Sequence, residues 1–192
     1  MMTQYSDITR FFAIFSLILL IGCNSKSVER QQHGDVRFRT TAPSLIYFKN
    51  IKSLKYQNNR DPQSQMDFYR PKAFMKATNQ PIIYPVIVQN WLEDESYLIF
   101  EKKNIAESAK IRVEGNDGNR IELTWPSADY LEQLAFIQKL EGFLRSNESI
   151  LIEEADGATK PLKYSIPERT SFLTVIQDFL NLTETANSRA KK

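Results

Sequence analysis

Few residues in this chain could do chemistry at neutral pH. Of 192 residues, one is Cys, at position 23, and one is His, at position 33. One Cys excludes an internal disulfide, and the pair is too few for a Cys/His zinc site or for nearly any His-dependent triad. His33 stands in a polar stretch that cannot hold an imidazole in place, so no catalytic role is assigned to it. Carboxylates that could share acid–base work occur as Glu93, Asp94, Glu95 and as Glu153, Glu154, Asp156. Both groups fall at expected turns, where carboxylates are usually solvated. Asp117, Asn119 and Glu122 offer oxygens at partly calcium-like spacing, but no full EF-hand pattern exists, and a hairpin turn explains them. The six glycines, at 22, 34, 115, 118, 142 and 157, build no phosphate-cradling loop. The expectation is no catalytic residue, no cofactor and no metal.

Charge carries more information. The chain is 42% hydrophobic and 25% charged, with a formal net charge of +2, too small for a nucleic-acid protein held by bulk charge. The charge is unevenly spread. Residues 24–76 hold 11 Lys and Arg against four acids, and residues 77–192 hold 13 against 18. Two readings follow. The basic half, with Lys49, Lys52 and Lys55 set among Tyr47, Phe48 and Tyr56, faces an anionic surface or partner. Alternatively, the two halves neutralise each other within the fold. Trp91 also has two readings: a partner-binding anchor, for which Trp is favoured, or a cap on the core above a turn.

The N-terminus reads as an address. Residues 11–21, FFAIFSLILLI, follow Arg10. The run is too short for a transmembrane helix and suits the apolar region of a secretory signal peptide. It ends at Leu20-Ile21-Gly22-Cys23, which resembles the lipobox of bacterial lipoproteins. The resemblance implies that the Cys23 thiol takes a diacylglycerol, that the chain is cut before Cys23, and that the new amine is acylated. Stable anchoring needs two such chains. Asn24, rather than Asp, after the Cys implies the outer membrane, and the lack of an acidic run after it implies the periplasmic leaflet. Gln89–Tyr97 looks like segments of uncharacterised small envelope lipoproteins. The order of elements in 127–182 is similar to the C-terminal part of invasion-associated-locus-B-type periplasmic proteins, although the paired cysteines of those proteins have no counterpart here.

The remaining chain divides by hydropathy. Residues 1–22 read as the signal peptide, 23–43 as the lipidated Cys and a flexible tether, 44–182 as one domain and 183–192 as a polar tail. Strands are expected at 44–50, 53–57, 66–70, 82–91 and 96–101, with a turn at 58–62 and with Pro85 marking an edge or bulge. Alternation in 110–115 and 120–125 around Asp117-Gly118 predicts a hairpin. The apolar stripe in 127–145 predicts a helix capped by Ser127. Strands follow at 149–154 and 162–165. Ser165-Ile166-Pro167-Glu168 then opens a last helix that buries Phe172, Val175, Ile176, Phe179 and Leu180. The class is α+β: an antiparallel sheet or half-sandwich followed by a helix–strand–strand–helix unit. The expected function is a non-catalytic domain on the outer membrane that binds an envelope protein or anionic polymer. A carrier of a small apolar ligand is the alternative, and an envelope hydrolase a third.

Overall fold

A computed structural model describes residues 38–76, 78–115 and 118–183. Cys23, His33 and the lipobox lie outside the described residues, as does the tail from 184. The fold is α+β, built from two four-stranded antiparallel sheets and three helices. The first sheet is a meander of β1 (Tyr56–Asp61), β2 (Met66–Pro71), β3 (Ile82–Asn90) and β4 (Glu95–Lys103), in that order. β3 is buried from Ile82 to Gln89, which is why it reads as an unbroken apolar run. β2 pairs with β3 only from Met66↔Asn90 to Tyr69↔Ile87. Pro85, which cannot donate to a ladder, sits just beyond that reach and pairs on the β4 side with Phe100. β1 is an edge strand of Gln, Asn, Arg and Asp after Tyr56, largely exposed. Polar edges discourage pairing with other chains.

The second sheet runs β6-β5-β7-β8, from β5 (Lys110–Glu114), β6 (Arg120–Leu123), β7 (Ser149–Glu153) and β8 (Thr159–Pro161). β5 lies centrally, with Val113 opposite Ile121 on one side and Ile150 on the other. The expected helix–strand–strand–helix order of 127–182 is present, and its two strands also extend the β5–β6 hairpin into one sheet.

Helix α2 (Tyr130–Ser146) links β6 to β7 and packs on β4. Its N-cap is Asp129, whose carboxylate accepts from the amides of Leu131 and Glu132 at 2.9 and 3.0 Å, in place of the expected Ser127. Asn147 closes the helix in the left-handed conformation (φ 57°) that Asn tolerates. Helix α3 (Ile166–Leu182) packs on β2, β3 and β4. Glu168 accepts from the Ser165 amide at 2.7 Å, the expected capping box. Phe172, Val175, Ile176, Phe179 and Leu182 are buried along one face, while Leu180 is only half-buried.

Four sequence readings are corrected. Residues 44–50 and 53–55 are helical, not strands: α1 (Ala42–Tyr47) runs into a π-type turn (Phe48–Lys52) and a 3₁₀ turn (Ser53–Lys55). Residues 58–61 belong to β1, and the turn follows at 62–65. The partner of β7 is 159–161 rather than 162–165, where Leu162 still turns its side chain into the core. The domain also begins before Ser44. Phe38 is only 5% exposed and meets Phe179 edge-on at 5.4 Å. Its carbonyl accepts from the Ser96 amide at 2.9 Å, and the Arg39 backbone pairs antiparallel with Glu95 as an isolated β-bridge. An aromatic ring buried this deeply belongs to the core, so the tether reading fails from residue 38 onward.

Candidate functional site

The segment Thr41–Lys55 is fixed locally before it is fixed globally. Thr41 and Ser44 cap each other: the Thr41 hydroxyl accepts from the Ser44 amide at 3.4 Å, and the Ser44 hydroxyl accepts from the Thr41 amide at 3.2 Å. Pro43 follows in the first turn, where its missing N–H costs nothing. The Ser44 hydroxyl also donates to the carbonyl of Leu182 at 2.8 Å, tying α1 to the end of α3. Phe48 is the inward anchor. It is buried and meets Tyr69 edge-on at 5.0 Å and Tyr56 at 5.7 Å.

This packing divides the three expected lysines. Lys49 and Lys55 are exposed. Lys52 turns inward, with its Nζ 3.0 Å from Asp178 Oδ1, and Asp178 is almost wholly buried. The Tyr56 hydroxyl donates to Oδ2 of the same carboxylate at 2.9 Å. The Asp178 hydrogen bond raises the Lys52 pKa above its ordinary value, more than burial lowers it. Burial, reinforced by the Asp178 charge, holds the Tyr56 hydroxyl protonated far above the usual range. Lys52, half-buried, therefore belongs to a structural pair with a buried carboxylate and leaves the exposed trio. Sequence reading missed Asp178 because 126 positions separate it from Lys52.

Neutralisation across the two halves occurs a second time. Arg70 reaches Glu101 with both arms, at 2.6 and 2.9 Å, and Tyr84 donates to the same carboxylate at 2.7 Å. Arg60, by contrast, pairs within the basic half, on buried Asp67 at 2.8 and 3.1 Å. The charge asymmetry is thus partly spent inside the fold, with Lys49 and Lys55 left at the surface.

Trp91 sits in the β3–β4 turn and is 40% exposed, with its neighbour Leu92 more exposed still. Its amide donates to the Gln65 carbonyl at 3.4 Å, linking two turns at one end of the first sheet. The ring is neither buried in the core nor fully free.

One feature is not read from the sequence as a site. A groove of about 530 Å³ runs between β6 and α2, lined by Ile121, Leu123, Trp125, Phe136 and Phe143, with Glu132 and Lys139 at its polar margin. Trp125 forms one wall. It stacks on Phe100 at 5.6 Å, its Nε1 donates to the Ala109 carbonyl, and Lys102 lies over its ring at 4.7 Å. Alternation over 120–125 puts Ile121, Leu123 and Trp125 on one face, but does not show that α2 stands off from it. Among the described residues no group of three or more His, Cys, Asp or Glu side chains is placed to hold a metal, and no helix is long and apolar enough to cross a membrane. Comparison with protein families, with curated proteins and with solved structures finds no match.

Proposed function

We propose that this chain is a lipid-anchored envelope protein held on the periplasmic leaflet of the outer membrane. In this reading its α+β domain works by binding a protein or an envelope polymer rather than by catalysis. The reading rests on Leu20-Ile21-Gly22-Cys23 closing an 11-residue apolar run, with the chain's one Cys at the position a lipobox requires. Cells fed labelled palmitate should label the wild type and not Cys23→Ser; equal labelling of both would remove the anchor. Exposed Trp91, with Leu92 beside it, is the partner contact in this proposal, since Trp is enriched at hot spots. A photocrosslinking residue at Leu92 should then capture a discrete envelope protein in cells, and one at exposed Lys160 should not.

The groove between β6 and α2 favours a second reading, a carrier of a small apolar ligand. Its volume falls in the range of small-molecule sites, and its walls are mainly aliphatic and aromatic. Medium-chain fatty acids should then quench the Trp125 emission of a Trp91→Phe variant at micromolar concentration. An unchanged spectrum would leave the groove without this role.

A further inference from the structure

We infer that the helical segment Ala42–Lys55 seats on the surface of an anionic phospholipid bilayer, its outer apolar stripe entering the headgroup region and Lys49 and Lys55 meeting the phosphates. The inference rests on the lipid-anchor reading for its location and on separate observations for its chemistry. Nine large apolar side chains are exposed among the described residues, and four of them, Ile46, Tyr47, Ile51 and Leu54, fall within this segment. Phe48, between Tyr47 and Ile51, turns into the core and leaves the four on the outside of the segment. All four are more than half exposed. Leu54 is 70% exposed, and Ile166, which shares a hollow with Lys55 and Tyr56, is 84% exposed. Apolar side chains gathered at the surface mark an interaction site more often than scattered ones do.

The charge selects the occupant. The segment carries three lysines and no acid. Lys52 is held by Asp178, so Lys49 and Lys55 are the cations that flank the stripe. An apolar stripe bordered by lysines is the pattern of a helix lying in a membrane interface. Location agrees. Ala42 stands 19 positions after Cys23, a separation that spans at most about 65 Å of extended chain. A lipid on Cys23 would therefore hold the segment within reach of the bilayer at high effective concentration.

The test uses residues 24–192, which lack the acylated Cys but contain every residue of the described core. In co-flotation, this protein should bind phosphatidylglycerol/phosphatidylethanolamine vesicles at low salt and not phosphatidylcholine vesicles. Lys49→Gln with Lys55→Gln should weaken binding roughly 25-fold, at about five-fold for each lysine near an anionic surface. Ile51→Ser with Leu54→Ser should weaken it by about ten-fold or more. Both double variants should keep the wild-type melting temperature, because all four side chains are exposed. Absent vesicle binding would overturn the inference. So would binding that ignores the apolar pair, which would mean attraction by charge alone, or a solution dimer that the Ile51/Leu54 variant abolishes, which would assign the stripe to a second copy. Palmitate labelling of Cys23 is read on the full-length chain, so failure of the anchor and failure of this surface are told apart.

Discussion

The Nζ of Lys52 lies 3.0 Å from Oδ1 of Asp178, and so joins the segment that opens the domain to the helix that closes it. Asp178 is buried, and its second oxygen is held by the Tyr56 hydroxyl. Removing one member of such a pair leaves a charge without compensation in a poorly solvating place, which costs about 3 kcal/mol or more. Lys52→Met should therefore lower the melting temperature by roughly 6–12 °C for a domain of this size. Lys49→Met, at an exposed position, should change it little. Equal, small effects would show that the Lys52 ammonium is dispensable and that Tyr56 alone satisfies the carboxylate.

The same pair joins a wider dependence on pH. Lys52 is raised above its ordinary value by Asp178, and burial pushes Tyr69 up to about 12 and Tyr56, Tyr84, Tyr97 and Tyr164 higher. In each case the folded state holds its proton more tightly than the unfolded chain does. Their contribution to stability is complete below about pH 10, where unfolded Tyr and Lys are still protonated, and is lost as pH rises beyond it. The chain should unfold in one alkaline transition above about pH 10, with tyrosinate absorbance at 295 nm and loss of far-ultraviolet circular dichroism coinciding. Gradual tyrosinate formation with unchanged dichroism would show that the rings ionise inside a folded domain.

Phe38 sets the start of the folding unit. It is buried against Phe179, and its carbonyl extends the bonding of β4 through Ser96. Phe38→Ala should cost about 3–5 kcal/mol, the usual range for emptying a buried aromatic site. A chain starting at Ser44 loses Phe38 and the Thr41 cap together, and should melt at least as far below one starting at Asn24. Matching melts for the two starts would place residues 38–43 outside the cooperative unit.

Parts of this fold are legible without coordinates because their signals are local. The Asp156-Gly157 turn, the Ser165–Glu168 box and the 3–4 spacing from Phe172 to Phe179 each lie within one element, and the structure bears them out. The segment 44–55 is misread because Ile46, Tyr47, Phe48 and Ile51 carry high strand propensity. The signal that overrides it, Thr41-Ala42-Pro43-Ser44, falls, but for Ser44, inside what composition marks as a tether. Asn58, Asn59 and Asp61 look like a turn because an exposed edge strand tolerates the residues that turns prefer. The pairing of β5 with β7 crosses an intervening helix, and nothing in the pattern of either strand names its neighbour. The candidate surface is legible in part. The lysines stand out by charge, but which of them meets Asp178 depends on contacts between opposite ends of the domain.

A row of polar side chains crosses the first sheet in register: Arg60 opposite Asp67, Asp67 opposite Gln89, Gln89 opposite Ser96. Asp67, Gln89 and Ser96 are all buried, and Arg60 satisfies Asp67 with two hydrogen bonds. The row stops being satisfied there. Neither amide atom of Gln89 nor the Ser96 hydroxyl has a hydrogen-bond partner. Burying such groups unpaired costs about 1–3 kcal/mol, and replacing them with apolar groups of similar shape recovers part of that. Gln89→Leu should therefore raise the melting temperature by roughly 3 °C, from a gain of about 1 kcal/mol. Ser96→Ala should raise it less, since it removes one group instead of two. Asp67 keeps its Arg60 partner in both variants, so no charge is orphaned by either change. A lower melting temperature for Gln89→Leu would show that the amide is bonded in solution. The buried row would then be a polar network that the protein retains.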